Sequence, residues 1–337
     1  MIGLTFDLRE HYLALGYGEE ETAEFDRPET IDALEAAIRA QGNELGGHEV
    51  ERIGTVRQLA AALVDGRRWD LVFNICEGLS GVAREAQVPA LLDAWHIPYC
   101  FSDPLVMALT LDKAMAKRVV AHEGVPTAGF ALVETMSDLV RIDLPFPLFC
   151  KPYAEGTGKG IGPMSRVEDK AALARTCEML LARFRQPVLV ETYLPGREFT
   201  VGIVGSGHEA TSIGVMEIAL AEDAEAGAYG YVNKEECERR IHYRRADDAE
   251  ALAAAQVALD AWRVLGCRDG GRVDIKSDGA GKPHFLEVNP LAGLHPEHSD
   301  LPILASLHGI DYGSLIGRIL ASAIGRHGLA RSAIAAE

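Results

Sequence analysis

The sequence predicts an α/β protein whose first hundred residues fold around an open parallel sheet and whose remainder is organised differently. Short apolar runs alternate with segments of helical spacing over about the first hundred residues, which is typical of a parallel sheet covered by helices. From about residue 102 the apolar runs are separated instead by a glycine-rich loop and a long polar segment. The length of 337 residues predicts two or three domains.

The first part of the chain begins with an apolar run at 2–6, which predicts a strand, and continues into an acidic, polar stretch that ends at Pro28. Ile31, Leu34 and Ile38 then fall on one face of a helix predicted over 29–41. Apolar spacing predicts four further elements, namely helices 57–65 and 84–95 and strands 69–75 and 97–101.

The second part begins with a strong helix, LDKAMAKRVVAHEG, which Gly124 ends. A glycine-rich loop, a polar segment over 217–246 and a turn at SDGAGKP separate the other elements, and the turn predicts a hairpin. These elements are predicted as strands FALV, PLFCKP, VLVETY, REFTVGIVG, GGRVDIKSDG and HFLEVNP and helices 168–184, 247–265 and 311–323.

The charge balance limits the classes of function. Thirty-three Lys and Arg against fifty Asp and Glu give a net charge of −17, so general attraction to nucleic acid or an anionic membrane is not expected. No apolar run of about 18 residues predicts a membrane span, and MIGLTFDLRE lacks the basic start of a secretory signal. Six scattered cysteines without a C-x-x-C pair favour the reducing cytoplasm.

KPYAEGTGKGIG, residues 151–162, is the first motif that could carry chemistry. Its glycines allow positive φ and close backbone approach to a ligand, its N–H groups can hold phosphate oxygens, and Lys151 and Lys159 add positive charge. The segment matches neither the P-loop nor the dinucleotide-binding pattern. The alternative interpretation is a flexible surface hairpin.

Two short polar patterns near the C-terminus form the second motif. Arg272 and Asp274 share one face of a predicted strand, and Glu287 and Asn289 share a face of the next strand. Paired as a hairpin, these faces can converge into a site of carboxylate and amide oxygens that suits Mg²⁺. Two solvated strand faces are the alternative.

VLVETYLPGREF, residues 188–199, is the third motif. Its apolar strand delivers Glu191, and Glu198 follows a Pro-Gly turn. Such carboxylates can accept hydrogen bonds from an adenine amino group or from ribose hydroxyls. An ordinary strand-turn-strand with exposed acids is the alternative.

The order of these motifs resembles the ATP-grasp superfamily and, within it, the D-alanine–D-alanine ligase family. A lysine near 113 precedes the lysine and glycine loop, the two glutamates, R-x-D and E-x-N in turn. The resemblance extends from about Asp70 to Leu320, and its most specific segments are IPYCFSDPLVMALTLDKAMAKRVVAHEGVPT, GCRDGGRVDI and FLEVNPLAGLHPEHSDLP.

The resemblance implies a three-lobed α/β ATP-grasp fold that clasps ATP. Its parts would be an N-terminal domain over 1–101 with an open parallel sheet, a central lobe over 102–190 and a C-terminal lobe over 191–325. Segment 217–246 would be a mobile lid, with a surface insertion as the alternative, and 326–337 a frayed tail. A homodimer is also implied.

The resemblance further implies a role for each matched residue. Arg272 and the backbone N–H of Gly293 would face the oxyanion of a tetrahedral intermediate, and Thr157 lies in the phosphate loop. Two Mg²⁺ ions, which Mn²⁺ could replace, would be bound by Asp274, Glu287 and Asn289. The residues implied to hold ATP are Lys113, Lys151, Glu155, Gly156, Gly158, Lys159, Gly160, Glu191, Thr192, Leu194, Glu198 and Lys234, the last on the lid.

The implied reaction joins a carboxylate to an amine through an acyl phosphate. The carboxylate must first attack the γ-phosphate, which brings anions together, so magnesium ions and cationic side chains are needed to offset the repulsion. An amine then attacks the acyl phosphate, and a lid is expected because water would otherwise hydrolyse that intermediate.

The positions that read the amino-acid substrates depart from the family pattern. Glu10 lies nearest the family's ammonium-binding glutamate, but the match is poor. Glu235 falls where a lid tyrosine is expected, His295 falls near a threonine, and Ser299 is reached only by allowing one extra residue after Gly293.

Two other segments also differ. NICEGLSGVARE stands where the family has a different glycine-rich sequence, and Thr157 replaces a serine. The acidic run EEETAEFD, residues 19–26, is most simply a solvated helix start, and the alternative is that it borders an amine-binding pocket.

Because the ATP and magnesium positions are retained while the substrate positions are altered, we predict a carboxylate–amine ligase whose donor or acceptor is an amino-acid-like molecule other than D-alanine. Two rival functions remain: a ligase for an unrelated carboxylate or amine, and a catalytically idle ATP-binding regulator. A Rossmann dehydrogenase is disfavoured because no G-x-G-x-x-G follows the first strand.

Overall fold

The computed structural model describes residues 1–45, 49–220 and 241–329. Within these residues the strands form three separate sheets, and helices pack on them. The α/β class predicted from the sequence is therefore confirmed. No helix in this part of the chain is both long enough and apolar enough to cross a membrane.

The first sheet has three parallel strands in the order β2-β1-β3. Its strands are β1 (Ile2–Thr5), β2 (Val50–Gly54) and β3 (Leu71–Asn74), and its helices are α1 (Arg9–Ala14), α2 (Pro28–Leu45), α3 (Val56–Val64) and α4 (Gln87–Ala94). The predicted helix 84–95 begins as a 3₁₀ turn over Arg84–Ala86. Strand β2 was not predicted, because charged residues occupy two of the five positions in VERIG.

The prediction of a strand at 97–101 was wrong. Tyr99 makes a single bridge to Val72, with the Val72 N–H donating to Pro98 O at 2.8 Å and the Cys100 N–H donating to Val72 O at 2.9 Å. His96 and Phe101, with φ of 55° and 75°, turn the backbone on either side of this segment and limit its pairing to that bridge.

The second sheet has four strands in the order β4-β7-β5-β6, and its neighbouring strands are antiparallel. Its strands are β4 (Phe130–Val133), β5 (Leu148–Pro152), β6 (Arg166–Val167) and β7 (Val188–Thr192), and the helices of this region are α5 (Pro104–Leu111), α6 (Lys113–His122) and α7 (Lys170–Phe184). Asp112 ends α5 and caps α6 by accepting a hydrogen bond from the Met115 N–H at 2.9 Å. That cap begins α6 at Lys113, which is buried.

The third sheet has five antiparallel strands in the order β10-β9-β8-β11-β12. Its strands are β8 (Glu198–Val204), β9 (Thr211–Leu220), β10 (Ile241–Arg245), β11 (Gly270–Ser277) and β12 (Pro283–Asn289), and the helices that follow or cover it are α8 (Ala249–Leu265), α9 (Asp300–Leu307) and α10 (Tyr312–Arg326). The predicted β11–β12 hairpin is confirmed. Strands β9 and β10 occupy the ends of the predicted lid 217–246, whereas its middle, 221–240, lies outside the described residues.

The last two helices pack on the first sheet. Leu315 and Ile319 of α10 belong to the same buried core as Leu4 of β1 and Leu34 of α2, and the Gln41 side chain donates to Gly313 O at 3.0 Å. This packing joins residues distant in sequence into one apolar core. It holds β12 and the loop that leads to α9 in place beside the first sheet.

Candidate active site

Two adjoining cavities are lined by side chains from the three sheets. The first, which we call the lysine cleft, lies between the second and third sheets and is lined by Lys113, Lys151, Lys159 and Lys276 among others. The second, which we call the carboxylate cavity, has a volume of about 710 Å³ and reaches from the β11–β12 hairpin to the first sheet. Lys113, Glu155 and Glu287 line both cavities, so the two cavities adjoin at these residues.

A chain of buried ion pairs forms the floor of the lysine cleft. Glu191 on β7 lies 2.6 Å from Lys117 Nζ and 3.1 Å from Lys151 Nζ. Burial alone would raise the pKa of the Glu191 carboxyl, but the two ammonium groups together outweigh it and hold that pKa below its usual value. Burial lowers the pKa of Lys117, whereas for Lys151 the charges of Glu191 and Glu287 outweigh burial and raise the pKa.

Lys117 was missed by sequence analysis. It lies one helical turn after Lys113 on α6, is fully buried, and also donates to Thr127 Oγ1 at 2.8 Å and to Phe285 O at 3.1 Å. The i, i+4 spacing of two lysines on one helix face was the available signal, because such a pair must share its surroundings.

Other residues that were predicted to bind a nucleotide also line the lysine cleft. Thr192 and Leu194 line it after β7, and Glu198 pairs with Lys276 at 2.6 Å. Lys113 Nζ donates to Glu155 O at 2.5 Å and lies 3.6 Å from a Glu287 carboxylate oxygen. The structure therefore brings residues from four sequence motifs into one cleft.

The glycine loop lies between the two cavities. Its Lys159 Nζ lies 2.7 Å from Glu155 and 3.3 Å from Glu24, and the Gly156 N–H donates to Glu24 Oε1 at 2.8 Å. A Cβ at Gly160, where φ is +76°, would lie 2.5 Å from the Pro152 ring, so this position requires glycine. Gly158 lines the lysine cleft and Gly156 lines the carboxylate cavity.

The β11–β12 hairpin brings the predicted metal ligands together. Asp274 faces Glu287 across the strand pair, and the Asn289 amide donates to Asp274 Oδ2 at 3.4 Å. Thr200 Oγ1 donates to Asp274 Oδ1 at 2.9 Å, and Arg272 forms an ion pair with the other oxygen of that carboxylate.

This donor set fits a hard divalent cation only in part. Two carboxylates and one amide suit Mg²⁺, which binds few protein oxygens and completes its coordination with water and phosphate. Among residues 1–45, 49–220 and 241–329, no group of three or more His, Cys, Asp or Glu side chains could hold a metal ion. A cation at the hairpin would therefore share its coordination with a bound phosphate.

Arg272 and Gly293 lie on the side of the hairpin that faces the carboxylate cavity. The Arg272 guanidinium lies 3.8 Å from Asp300 in addition to its pair with Asp274. Ser299 Oγ accepts from the His295 N–H at 2.9 Å, and a Cβ at Gly293 would lie 2.8 Å from the same oxygen. The structure thus brings His295 and Ser299 to the cavity with the predicted oxyanion donors.

Thr157 also lines the carboxylate cavity. Its φ is 48°, and its Oγ1 is buried with no hydrogen-bond partner among the residues that the structure describes. A buried hydroxyl without a partner is uncommon, because the loss of its hydrogen bonds to water is not compensated. This hydroxyl is therefore available to a ligand in the cavity.

The wall opposite the hairpin is acidic, and it was only partly anticipated. Glu24 and Asp26, from the run 19–26, and Glu77 and Glu85, from NICEGLSGVARE, all line the carboxylate cavity. The interpretation of 19–26 as the start of a solvated helix was therefore wrong, since residues 23–26 form this wall and belong to no helix.

The remaining predicted substrate and lid residues are Glu10, Lys234 and Glu235. Glu10 lies exposed in the first turn of α1 and is not among the residues that line either cavity, so the structure does not bring it to the site. Lys234 and Glu235, predicted on the lid, lie outside the described residues.

Comparison with known proteins gives a consistent result. The family model described as "D-ala D-ala ligase C-terminus" matches residues 119–321. The D-alanine–D-alanine ligase of Bordetella pertussis is 36% identical over 259 residues, which are 76% of this chain and 78% of that protein. The D-alanine–D-alanine ligase of Xanthomonas axonopodis is 32% identical over 303 residues, 86% of this chain and 91% of that protein.

Solved structures show the same fold. The crystal structure of a D-alanine–D-alanine ligase from Bacillus anthracis matches with a TM-score of 0.72 at 21% identity and covers 97% of this chain and 98% of that chain. The sheets, the glycine loop and the hairpin described above thus have the arrangement of the ATP-grasp fold. The chain belongs to the D-alanine–D-alanine ligase family, whose members are ATP-dependent ligases that form carbon–nitrogen bonds.

Proposed function

We propose that this protein is an ATP-dependent ligase that joins a carboxylate to an amine through an acyl phosphate. The observation that carries the proposal is that Lys113 and Glu287 line both cavities. A nucleotide in the lysine cleft would point its terminal phosphate toward these residues, and a carboxylate in the second cavity would meet it there. Holding the two reactants in this geometry would contribute much of the rate enhancement.

The nucleotide half of the proposal rests on the lysine cleft. Lys113, Lys151 and Lys159 would neutralise phosphate charge, and Gly156, Gly158 and Gly160 would let the loop approach the phosphates closely. The adenine would lie against Glu191, Thr192 and Leu194, and the ribose against Glu198. By family likeness, Lys234 would complete this set from a loop that closes over the γ-phosphate.

Asp274, Glu287 and Asn289 would hold Mg²⁺, and the donor chemistry supports two ions that share phosphate oxygens, with Mn²⁺ as a replacement. Bound magnesium would supply charge neutralisation during phosphoryl transfer. Arg272 already contacts Asp274, so ion binding to that carboxylate would release the guanidinium toward the carboxylate cavity.

Arg272 and the Gly293 N–H would then stabilise the oxyanion that forms when the amine attacks. Removal of one such donor commonly costs about 3–4 kcal/mol of transition-state stabilisation. Thr157, His295 and Ser299 would position the two substrates around these donors, because all three line the cavity.

The proposal extends to substrate and assembly. Both substrates would be small amino-acid-like molecules, and the altered substrate positions favour a donor or acceptor other than D-alanine. Family likeness also supports a homodimer in the cytoplasm, without nucleic-acid or membrane partners. Sedimentation of the purified chain would test the dimer.

ADP release in the presence of Mg²⁺ tests the activity. Purified protein would be supplied with ATP and pairs of amino acids of both configurations, and products would be identified by mass spectrometry. We expect ADP, phosphate and an amide in equal amounts for at least one pair. If D-alanine alone were ligated with ordinary efficiency, the proposal of a substrate other than D-alanine would be wrong. If the protein bound nucleotide but turned over no pair of amino acids, a catalytically idle ATP-binding regulator would be favoured.

A further inference from the structure

We propose that the carboxylate cavity takes a substrate with a second cationic group, a basic amino acid whose side chain ends in an ammonium or guanidinium. This inference rests on the proposed function and names the substrate class that the same site would use. It is carried by three acidic side chains on the wall opposite the hairpin, Asp26, Glu77 and Glu85.

What sets these three carboxyl groups apart is the lack of a partner among residues 1–45, 49–220 and 241–329. None has a side-chain hydrogen bond or an ion pair to another residue of the described ranges, although all three line the cavity and are largely shielded from solvent. Protein carboxylates in such surroundings are ordinarily paired, since an unpaired buried charge is strongly unfavourable. The missing partner is therefore expected to come from a ligand.

Glu24 lies in the same wall, but its carboxylate has partners within the protein. Its oxygens lie 3.1 Å from Arg84 and 3.3 Å from Lys159, and it accepts from the Gly156 N–H at 2.8 Å. Two cations and a backbone amide are thus already committed to Glu24. The charge of Arg84 also acts on Glu77 and Glu85, but among the described residues Arg84 forms its ion pair with Glu24 alone.

The pKa values of these three carboxyl groups agree with their burial and their lack of ion-pair partners. Burial, reinforced by Asp7, raises the pKa of Asp26 to about 8. Burial also raises the pKa of Glu85 to about 7, against the opposing charge of Arg84, and raises that of Glu77 well above its usual value with the help of Glu85. A cationic ligand would reverse these shifts, because it favours the ionised carboxylates.

The position of the acids identifies which part of the substrate they would read. Arg272 and Gly293 line the opposite side of the cavity, where the reacting carboxyl carbon would lie, and the unpartnered Thr157 hydroxyl lines the cavity as well. One acid suffices for the α-ammonium group that every amino acid carries. Three acids without partners therefore leave room for a further positive charge at the end of the side chain.

Matched substrates test the inference directly. Ornithine and norleucine have side chains of the same length, and only ornithine ends in an ammonium group; 2,4-diaminobutyrate and norvaline form a second such pair. Each enantiomer of each amino acid would be assayed with ATP and Mg²⁺, both alone and together with D-alanine. We expect kcat/KM for the cationic member of a pair to exceed kcat/KM for its neutral partner at least tenfold. An equal or better neutral member would overturn the inference and leave the ligase activity standing.

Charge-removing variants locate the effect. Glu77→Gln with Glu85→Gln should reduce the cationic preference to threefold or less, because kcat/KM for ornithine should fall more than kcat/KM for norleucine. The control is Glu20→Gln, an exposed acid of the run 19–26 that pairs with Arg183 and lines neither cavity. A preference that survives in the double variant would refute the assignment of these acids.

Binding without ATP separates this inference from the proposed function. Thermal shift with ornithine and norleucine needs no turnover, and stabilisation by ornithine alone, lost in the double variant, would support the cationic site even if no ADP were released. If ornithine gives no stabilisation and no ADP, the cationic site is rejected. If ADP forms only with neutral amines, the site is rejected and the ligase retained.

Discussion

The lysine cleft and the carboxylate cavity adjoin, yet they treat buried charge in opposite ways. In the lysine cleft, Glu191 lies within 3.1 Å of two lysines, and Glu198 pairs with Lys276 at 2.6 Å. In the carboxylate cavity, Asp26, Glu77 and Glu85 have no such partner within the described residues. The carboxylates of the cleft are neutralised by lysines of the protein, whereas these carboxyl groups of the cavity have burial but no cation to balance it, and their pKa values are raised.

The largest expected effect falls at the boundary of the two regions. Asn289→Ala removes one oxygen donor of the hairpin, so turnover should fall at least ~1,000-fold, a loss on the order of 4 kcal/mol in the barrier. Nucleotide affinity should change less than about tenfold, roughly 1.4 kcal/mol, since the lysine cleft is untouched. ADP release and nucleotide titration would measure the two quantities.

The control for this substitution is Asn289→Asp, which keeps an oxygen donor at the same position and should retain more turnover than the alanine variant. If the alanine variant turned over at the original rate, the hairpin would have no part in the chemistry. The boundary between the two regions would then lie elsewhere.

A stability measurement tests the buried ion pairs of the lysine cleft. Lys117→Met leaves Glu191 with one ammonium group instead of two and should lower the free energy of unfolding by about 3 kcal/mol, because breaking a buried ion pair is costly. Lys276→Met, which breaks the less deeply buried pair with Glu198, should cost less than Lys117→Met. Urea unfolding of the two variants would show the difference, and equal losses would contradict it.

The two regions should respond to pH in opposite directions. The pKa of Glu191 is lowered, so its stabilisation is present above the unfolded pKa and is lost as the pH falls. The pKa of Asp26 is raised to about 8, so the folded protein binds the extra proton and this group's contribution declines as the pH rises toward 8.

Asp26→Asn should therefore raise the melting temperature of the ligand-free protein by about 2–4 °C at pH 8 and by less at pH 5. Scanning calorimetry at the two pH values would record this. A larger gain at the lower pH would mean that Asp26 is paired in the folded state. Glu19→Gln, in the same acidic run but outside both cavities, is the reference substitution.

The smallest effect is expected outside both regions. Arg183 and Glu20 form an exposed pair at 2.8 Å between α7 and the acidic run. Arg183→Ala should change the free energy of unfolding by less than about 1 kcal/mol, because solvent screens such pairs. A loss comparable to that of Lys117→Met would show that burial does not set the strength of these pairs.

Local patterns predicted the elements whose periodicity is strong. The helices at 29–41 and 247–265 and the β11–β12 hairpin follow directly from apolar spacing and turn residues. Strand β2 and helix α9 escaped prediction because charged residues in VERIG and prolines and histidines in LHPEHSDLP obscure their periodicity.

The residues of the candidate active site were also predictable only where a local pattern connects them. Asp274, Glu287 and Asn289 were predictable because a hairpin fixes which side chains face one another. The i, i+4 spacing places Lys117 on the same helix face as Lys113, but no local pattern connects it with its partner Glu191, which lies on a strand far along the chain. Asp26, Glu77 and Glu85 come from two separate segments of the first sheet's loops, and no spacing rule connects them.

The packing of α10 against α2 has a consequence for how the chain folds during synthesis. Strands β1 and β3 are translated well before Leu315 and Ile319, which form part of their apolar cover. At roughly 5–20 residues per second the exposed strands would wait on the order of tens of seconds. The first sheet of the nascent chain therefore stays partly uncovered over that interval, and a stop codon shortly before residue 312 would remove this cover altogether.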